Sequence, residues 1–316
     1  MKKLLLVLFI SLISTSGFSQ KIDRISLGTT VGKFIQDVGP MKNYPLKSIV
    51  DTFKTQGYDE VKMVYAIYRW IASNIQFDTW AYHHPRQANH TPSAALNTRK
   101  GTEEGYANLF QTMCDMARVH CVKIAGHAKA FPETIGKLDD RDKHIWNAVK
   151  IKNTWYNIDV TWGAGSTDIK RKEFKKAFTD AWFFTEKESF FLSHFPADKI
   201  WQLTDNPINK LSFAHAPVIG QSSIIYDVHF PEGMRGKIKG REKVCKPLIF
   251  EIENADKIGK VEVDLDGMVL PAEFTIFDNR LLVEIPFNKD GKYPVFIQIN
   301  GKPAFGFFAE VTPKRS

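Results

Sequence analysis

Two short apolar segments separated by two polar residues constrain the fold of this chain most strongly. Residues 143–151 and 154–161 are predicted strands, and the dipeptide between them is predicted to form a hairpin turn. The resulting register makes His144 and Asp159 diagonal neighbours on one face of the hairpin, about 7 Å apart at the backbone. Since imidazole and carboxylate side chains span that distance, we predict that Asp159 orients His144.

A predicted helix supplies a third candidate site residue. The apolar spacing over residues 103–119 predicts a helix whose first residue is Glu103. The N-terminus of a helix stabilises an anion, which suits a reactive thiolate. A carboxylate at the same place is a poor substitute for a thiolate nucleophile. We therefore expect Glu103 to face His144 and to form a static ion pair with it.

Three sequence blocks carry a resemblance to a known family. Residues 101–107 fit the pattern Gly-x-Cys-x-Gly-Tyr-Ala except that Glu103 stands at the cysteine position. Residues 144–149 fit His-x-Trp-Asn-x-Val, and residues 155–163 fit Trp-Tyr-x-x-Asp-x-Thr-Trp-Gly. In this order and spacing the blocks resemble the transglutaminase-like superfamily, a branch of the papain-like cysteine fold, and within it the kyphoscoliosis-peptidase-like group. The likeness extends over roughly residues 45–215.

The resemblance implies a fold and a set of site residues. The fold is α+β: a papain-like transglutaminase core, with a central helix packed on an antiparallel sheet, followed by an all-β domain. Glu103, His144 and Asp159 occupy the three triad positions, so the scaffold is that of an enzyme whose cysteine nucleophile is replaced. Three aromatic residues are expected to line the groove that holds the acyl donor in active relatives: Tyr106, Trp146 and Trp162.

The pattern changes after residue 216, where apolar and polar residues alternate with period two. Turn dipeptides such as Asp266-Gly267 separate these segments. We predict an immunoglobulin-like β-sandwich over residues 217–316, after a transglutaminase-like domain over residues 46–216. The sandwich contains no evident catalytic constellation.

The first residues predict export. Two lysines precede an apolar run that is too short to span a bilayer, and small residues follow, as in a signal peptide over residues 1–19. Residues 20–45 are predicted as an extended lead-in, because Pro40 and Pro45 interrupt regular structure. No cysteine follows the apolar run, so no lipid anchor is expected. We predict a protein of the periplasm or the extracellular medium, without stable membrane insertion.

None of the three cysteines replaces the missing nucleophile. Cys114 lies on the same helix as Glu103 but about 16 Å away. Cys121 falls on a predicted strand, and Cys245 belongs to the other domain. Thr102 neighbours Glu103, but its hydroxyl needs an aligned base. Cys114 and Cys121 are close enough in sequence for a disulfide, but buried, inert thiols are the favoured interpretation.

Two further kinds of chemistry stay open at the predicted pocket. Glu103, His144 and Asp159 form a carboxylate–imidazole set of the type that binds divalent transition metals. Glu103 alone is also a candidate general base for water. His83, His84 and His90 lie nearby in a predicted polar loop over residues 78–98, where ordinary loop histidines are the simpler interpretation.

The favoured hypothesis is an exported transglutaminase-like protein that performs no thiol chemistry and binds a peptide, a protein or a cell-envelope component in its groove. The alternative is a hydrolase or acyltransferase that uses the triad positions, with or without a metal. A third interpretation is an adhesive protein whose β-sandwich does the binding. The net charge of +8 describes a mildly basic surface. No nucleic-acid-binding module and no cofactor are expected.

Overall fold

The computed structural model describes residues 23–138 and 143–314. It confirms the α+β prediction, with most helices in the first two thirds of the described chain and a β-rich C-terminal part. The predicted signal peptide lies outside the described residues. No helix within the two described ranges is long and apolar enough to cross a membrane. The α-helices are α1 (Arg24–Leu27), α2 (Lys33–Val38), α3 (Leu46–Lys54), α4 (Glu60–Asn74), α5 (Thr79–His83), α6 (Pro92–Thr98), α7 (Glu103–Met116), α8 (Val160–Ala164), α9 (Lys187–Ser193), α10 (Lys210–His215) and α11 (Gln221–Ile225).

The strands form several sheets, and the one that matters for the site is four-stranded with the order β5-β4-β3-β8, all antiparallel. The strands are β1 (Gln76–Phe77), β2 (Lys100–Gly101), β3 (His120–Ala128), β4 (Lys143–Ile151), β5 (Thr154–Ile158), β6 (Gly165–Thr167), β7 (Phe174–Lys176), β8 (His194–Pro196), β9 (Val218–Ile219), β10 (Val228–His229), β11 (Lys237–Arg241), β12 (Cys245–Ile252), β13 (Val261–Leu265), β14 (Met268–Pro271), β15 (Phe274–Phe277), β16 (Arg280–Pro286), β17 (Gly291–Ile299) and β18 (Lys302–Thr312).

Helix α7 is the central helix of the core. Its apolar face, which includes Phe110, Met113 and Cys114, is fully buried against the sheet and the neighbouring helices. The side-chain amide of Asn147 on β4 donates to the carbonyl oxygens of Ala107, at 3.2 Å, and Val122, at 3.3 Å. Because this buried amide links α7 to β4 and β3, it fixes the start of the helix over the sheet.

The predicted hairpin is present, with a shorter second strand. Ile151 pairs with Thr154 across the predicted two-residue turn, but β5 ends at Ile158 rather than at residue 161. The reason is local capping, since the Asp159 carboxylate accepts the Trp162 N–H at 3.0 Å and begins α8. Residues 160–164 are therefore helical, which turns the chain out of the sheet immediately after Asp159.

Two segments that were predicted to be irregular contain helices. Residues 24–38 form α1, a π-helical turn and α2, so the prediction of an extended lead-in is wrong. Val31 and Ile35 bury their side chains in the core, and this tertiary packing outweighs the breakers that follow. Within residues 78–98, Asp78 and Thr91 cap the helices α5 and α6 with their side chains.

The C-terminal part consists of two sheets with the strand orders β10-β12-β16-β15 and β11-β18-β17-β13-β14. Most pairings are antiparallel, but β11 pairs with β18 in parallel. The two inner faces form an apolar cluster that continues through Trp146 and Phe190 of the N-terminal part. Strand β9 joins the edge of β18 and begins directly after the predicted boundary at residue 216.

The cysteines are free thiols, so the structure contains no Cys114–Cys121 disulfide within its described residues. Cys114 and Cys121 are buried, and Cys245 is exposed. Burial and the neighbouring Cys121 thiol raise the pKa of Cys114 well above its usual range, so this thiol is unreactive at neutral pH.

Gly126 provides a test of the sheet. It pairs with both His144 and Pro196, and a Cβ there would lie 2.3 Å from the Phe195 carbonyl oxygen and 2.7 Å from the Trp146 ring. We expect Gly126→Ala to lower the free energy of unfolding by about 2–3 kcal/mol, since backbone atoms cannot give way cheaply. Urea denaturation followed by circular dichroism measures it.

Gly105 supplies the matched control for that measurement. It lies inside α7, and a Cβ there would have no atom within 4 Å. Gly105→Ala should raise the free energy of unfolding by about 0.5–1 kcal/mol, because alanine loses less conformational freedom than glycine in a helix. Equal stabilities of the two variants would contradict the described approach of β3 to β4 and β8.

Candidate functional site

A buried carboxylate organises the site. Asp159 is 0% exposed and lies at the junction of β5 and α8. Its Oδ2 accepts from His144 Nε2 at 2.7 Å and from His194 Nε2 at 3.0 Å, while its Oδ1 accepts the Trp162 N–H at 3.0 Å. The structure therefore brings His144 and Asp159 together as predicted, through a local hairpin. Their assignment as triad positions stays a prediction.

The environment keeps Asp159 ionised. Burial alone would raise the pKa of this carboxyl, but the electrostatic interactions and hydrogen bonds with His144 and His194 outweigh burial and hold the pKa well below its usual range. An ionised carboxylate only accepts hydrogen bonds, so each of its imidazole partners presents an N–H at Nε2. For a neutral His144, the remaining ring nitrogen is then the acceptor Nδ1.

His194 is a site residue that the sequence patterns do not reveal. It is 0% exposed on β8, which pairs with β3 at Ala128. Its ring stacks on Phe190 at 4.0 Å between centroids and lies 4.6 Å from the Trp162 ring. Burial lowers the pKa of His194 to about 4 against the opposing effect of Asp159, so the imidazole is neutral at pH 7. The local sequence does not show that this imidazole reaches Asp159, because a long-range strand pairing positions it.

Glu103 does not pair with His144. It is the first residue of α7, as predicted, and its Oε1 accepts from Arg171 Nη1 at 2.8 Å, with both side chains 12% exposed. Within the described residues no ion pair joins Glu103 to His144. The prediction of an ion pair between Glu103 and His144 is therefore wrong, because Arg171 reaches the helix start from the loop between β6 and β7 and pairs with Glu103.

The loop that carries Arg171 is itself held in place. The Asp168 carboxylate accepts from the backbone N–H groups of Lys170, Lys172 and Glu173, at 3.3, 2.7 and 2.9 Å respectively. The Arg171 guanidinium lies 4.6 Å from the centroid of the Tyr82 ring, a cation–π distance. These contacts preorganise Arg171 over the start of α7.

A cavity of about 570 Å³ lies between the N-terminal core and the C-terminal sheets. Glu103, His144 and Arg171 line one side. The opposite side includes residues of β17 and β18 such as Phe296 and Phe305. This volume is typical of a site for a small ligand or a short stretch of peptide.

Of the three predicted groove residues, only Trp162 lines this cavity, where it is half-buried. Tyr106 and Trp146 are 0% and 1% exposed and are core residues instead. The Tyr106 hydroxyl donates to the Ile75 carbonyl oxygen at 2.8 Å, which directs its ring towards α4. The Trp146 indole N–H points to Asn157 Oδ1 at 3.4 Å, inside the sheet.

Among residues 23–138 and 143–314, the side chains with metal-ligand geometry are His144, Asp159 and His194, rather than the predicted set with Glu103. Their ligand atoms lie within 4.8 Å of one another, but the two imidazoles already donate to the carboxylate. The loop histidines lie elsewhere: His83 and His84 contact backbone carbonyl oxygens, and His90 Nδ1 lies 2.8 Å from Thr102 Oγ1. The hydroxyl of Thr102 therefore faces His90, not His144.

Comparisons with known proteins find a transglutaminase-like domain in the N-terminal part of the chain. Residues 47–160 match the family model described as transglutaminase-like superfamily. The chain is 31% identical over 172 residues to kyphoscoliosis peptidase of Mus musculus, covering 54% of this chain and 26% of that protein. It is 31% identical over 193 residues to the Lim and transglutaminase domain protein ltd-1 of Caenorhabditis elegans, covering 58% of this chain and 26% of that protein. The match thus spans about a quarter of the length of these curated relatives.

One solved structure, described as a crystal structure of a TGase, is 14% identical to the chain. The superposition has a TM-score of 0.28 and covers 52% of this chain and 39% of that chain.

The neutral state of His194 predicts how stability depends on pH. Its pKa in the folded protein is about 4, whereas an unfolded histidine has a pKa of about 6.5. The unfolded chain therefore binds more protons between these values, and stability falls as the pH decreases from 6.5 to 4. The loss should reach at most about 3 kcal/mol.

Urea denaturation between pH 7 and pH 4 tests this expectation. His194→Gln should flatten the decline, and substitution of the exposed His84 by glutamine should leave it unchanged. The wild-type decline persisting unchanged in His194→Gln would contradict the assignment of a buried neutral imidazole.

Proposed function

Since the chain contains a transglutaminase-like domain similar to that of the kyphoscoliosis peptidases, we propose that it binds a peptide-like ligand in its interdomain cavity without thiol chemistry. The observation that carries the proposal is the state of Glu103. At the position where the family pattern has cysteine, this carboxylate is engaged by Arg171 at 2.8 Å. A carboxylate held in an ion pair is neither a thiolate nor an available general base.

The rest of the catalytic geometry supports binding rather than loss of the site. His144 and Asp159 keep a 2.7 Å hydrogen bond beside the cavity. The cavity combines aromatic side chains such as Trp162 with a few polar groups, as ligand sites do.

The proposed setting is outside the cytoplasm, on the basis of the N-terminal sequence. A peptide, an exported protein or a peptide component of the cell envelope would then be the natural occupant. Lys175 and Lys302 contribute positive charge to the cavity lining from its two sides. We expect peptides with an acidic residue to bind more tightly than their neutral counterparts.

Restoring the cysteine is the direct test of a disarmed scaffold. Glu103→Cys should react with iodoacetamide at neutral pH, and a further His144→Ala change should slow the reaction at least about 10-fold through loss of the general base. The assay belongs in a Cys245→Ser background, because Cys245 is the exposed native thiol. Mass spectrometry of residue 103 gives the rate.

Wild-type protein, which has no cysteine at position 103, should show neither peptide cleavage nor amine incorporation in parallel assays. Turnover by wild-type protein that disappears in Glu103→Ala would overturn the proposal. An equal alkylation rate with and without His144 would show that the imidazole no longer serves position 103.

A displayed library of random peptides provides a binding assay in which the natural ligand need not be identified. Selection on wild-type protein should enrich sequences that bind with measurable affinity in isothermal titration calorimetry. Trp162→Ala and Gln221→Ala should each weaken that binding about 10-fold, since each removes a lining group. The control is Trp80→Ala, because Trp80 is 54% exposed and is not among the cavity-lining residues described. Equal effects of all three changes would contradict the cavity as the binding site.

A further inference from the structure

The environment of Asp159 contains more hydrogen-bonding groups than a three-residue triad requires. Two imidazoles share its Oδ2, and the second, His194, continues to Ser193, whose Oγ lies 2.8 Å from His194 Nδ1. All four side chains are buried, with residue exposures of 5% for His144 and 0% for the other three. Buried polar groups must be satisfied within the protein, so the positions of the hydrogens can be assigned.

The assignment begins at the carboxylate. Because ionised Asp159 has no hydrogen to donate, both His144 and His194 present an N–H at Nε2. A neutral imidazole carries one N–H, so Nδ1 of His194 is an acceptor. Ser193 then donates its hydroxyl hydrogen to that nitrogen.

The competing arrangement can be discarded on physical grounds. The Ser193 hydroxyl also lies 2.9 Å from the Phe190 carbonyl oxygen. If it donated there, His194 Nδ1 would have to carry a hydrogen too, which would make His194 an imidazolium. A cationic His194, fully buried among aromatic rings, is unfavourable.

We propose that His194 is a positioning residue: held by Ser193, it fixes the Asp159 carboxylate so that His144 offers its Nδ1 as a hydrogen-bond acceptor to the ligand of the cavity. The role of His194 rests on the proposed function, because it assigns part of the proposed ligand site. The ligand group that His144 Nδ1 would bind is an N–H or O–H donor. Among the described residues, no hydrogen bond occupies His144 Nδ1, and His144 lines the cavity.

The architecture explains why His194 can act in this way. It begins β8, whose pairing with β3 places it opposite Ala128, while Gly126 on the same strand pairs with His144. The two imidazoles therefore approach Asp159 from different strands of one sheet. Trp162 and Phe190 pack on the ring of His194, so this imidazole cannot rotate away from the carboxylate.

Nitrogen-15 NMR of histidine-labelled protein tests the hydrogen assignment in the wild type. We expect the Nε2–H tautomer for both His144 and His194 at pH 7. Observation of a hydrogen on Nδ1 of either His194 or His144 would overturn the proposal. The wild-type measurement needs no variant to fold, so the proposal is testable even if every substitution of His194 unfolds the protein.

Substitution separates positioning from packing. His194→Gln keeps an amide N–H for Asp159 and should preserve the His144 tautomer, whereas His194→Phe removes the donor and should yield a mixture of tautomers. In the Glu103→Cys, Cys245→Ser background, His194→Phe should slow alkylation of residue 103 at least about 10-fold at pH 7, and His194→Gln should remain within about threefold. A rate within about twofold for His194→Phe would overturn the positioning role.

The result can be distinguished from a failure of the proposed function. If wild-type protein turned over a peptide, the proposal of binding without chemistry would fail, while the tautomer of His144 would still decide the role of His194. If the tautomers differ from those assigned and no turnover occurs, only the role of His194 fails.

Discussion

The buried carboxylate of Asp159 is the interaction on which the site depends. It caps α8 with one oxygen and holds two imidazoles with the other. A fully buried charge is costly unless it is completely hydrogen-bonded. Asp159 meets that condition because residues of β4, β8 and α8 all donate hydrogen bonds to it. The same contacts that stabilise the charge therefore orient His144 beside the interdomain cavity.

The ion pair of Glu103 with Arg171 distinguishes this geometry from that of a cysteine enzyme. In a cysteine enzyme the start of the central helix would hold a thiolate opposite the imidazole. Here the helix start carries a carboxylate that is engaged by a loop residue, and no described residue forms a hydrogen bond with His144 Nδ1. This arrangement supports the proposal that the cavity orients a ligand without a thiol nucleophile to attack it.

Contacts between residues that are close in sequence could be predicted at this site, whereas contacts between distant residues could not. His144 and Asp159 are 15 residues apart and joined by a two-residue turn, so strand periodicity is sufficient to pair them. Arg171 lies 68 residues from Glu103, and His194 lies 35 residues from Asp159. A loop positions the arginine and a strand pairing positions the histidine, and local sequence does not show that either contact forms.

Two wrong expectations have a related cause. The helical lead-in does not follow from local sequence, because burial of Val31 and Ile35 in the core stabilises it. Tyr106 and Trp146 neighbour the triad positions along the chain, which suggests a place in the groove. Their hydrogen bonds to Ile75 and Asn157 instead direct them into the core.

The central claim is that the cavity holds a peptide and leaves it chemically intact. The most direct measurement is mass spectrometry of a library-selected peptide after prolonged incubation with wild-type protein and a primary amine. The account predicts recovery of the peptide at its original mass, uncleaved and without incorporated amine. Cleavage or amine incorporation that depends on Glu103 would contradict it.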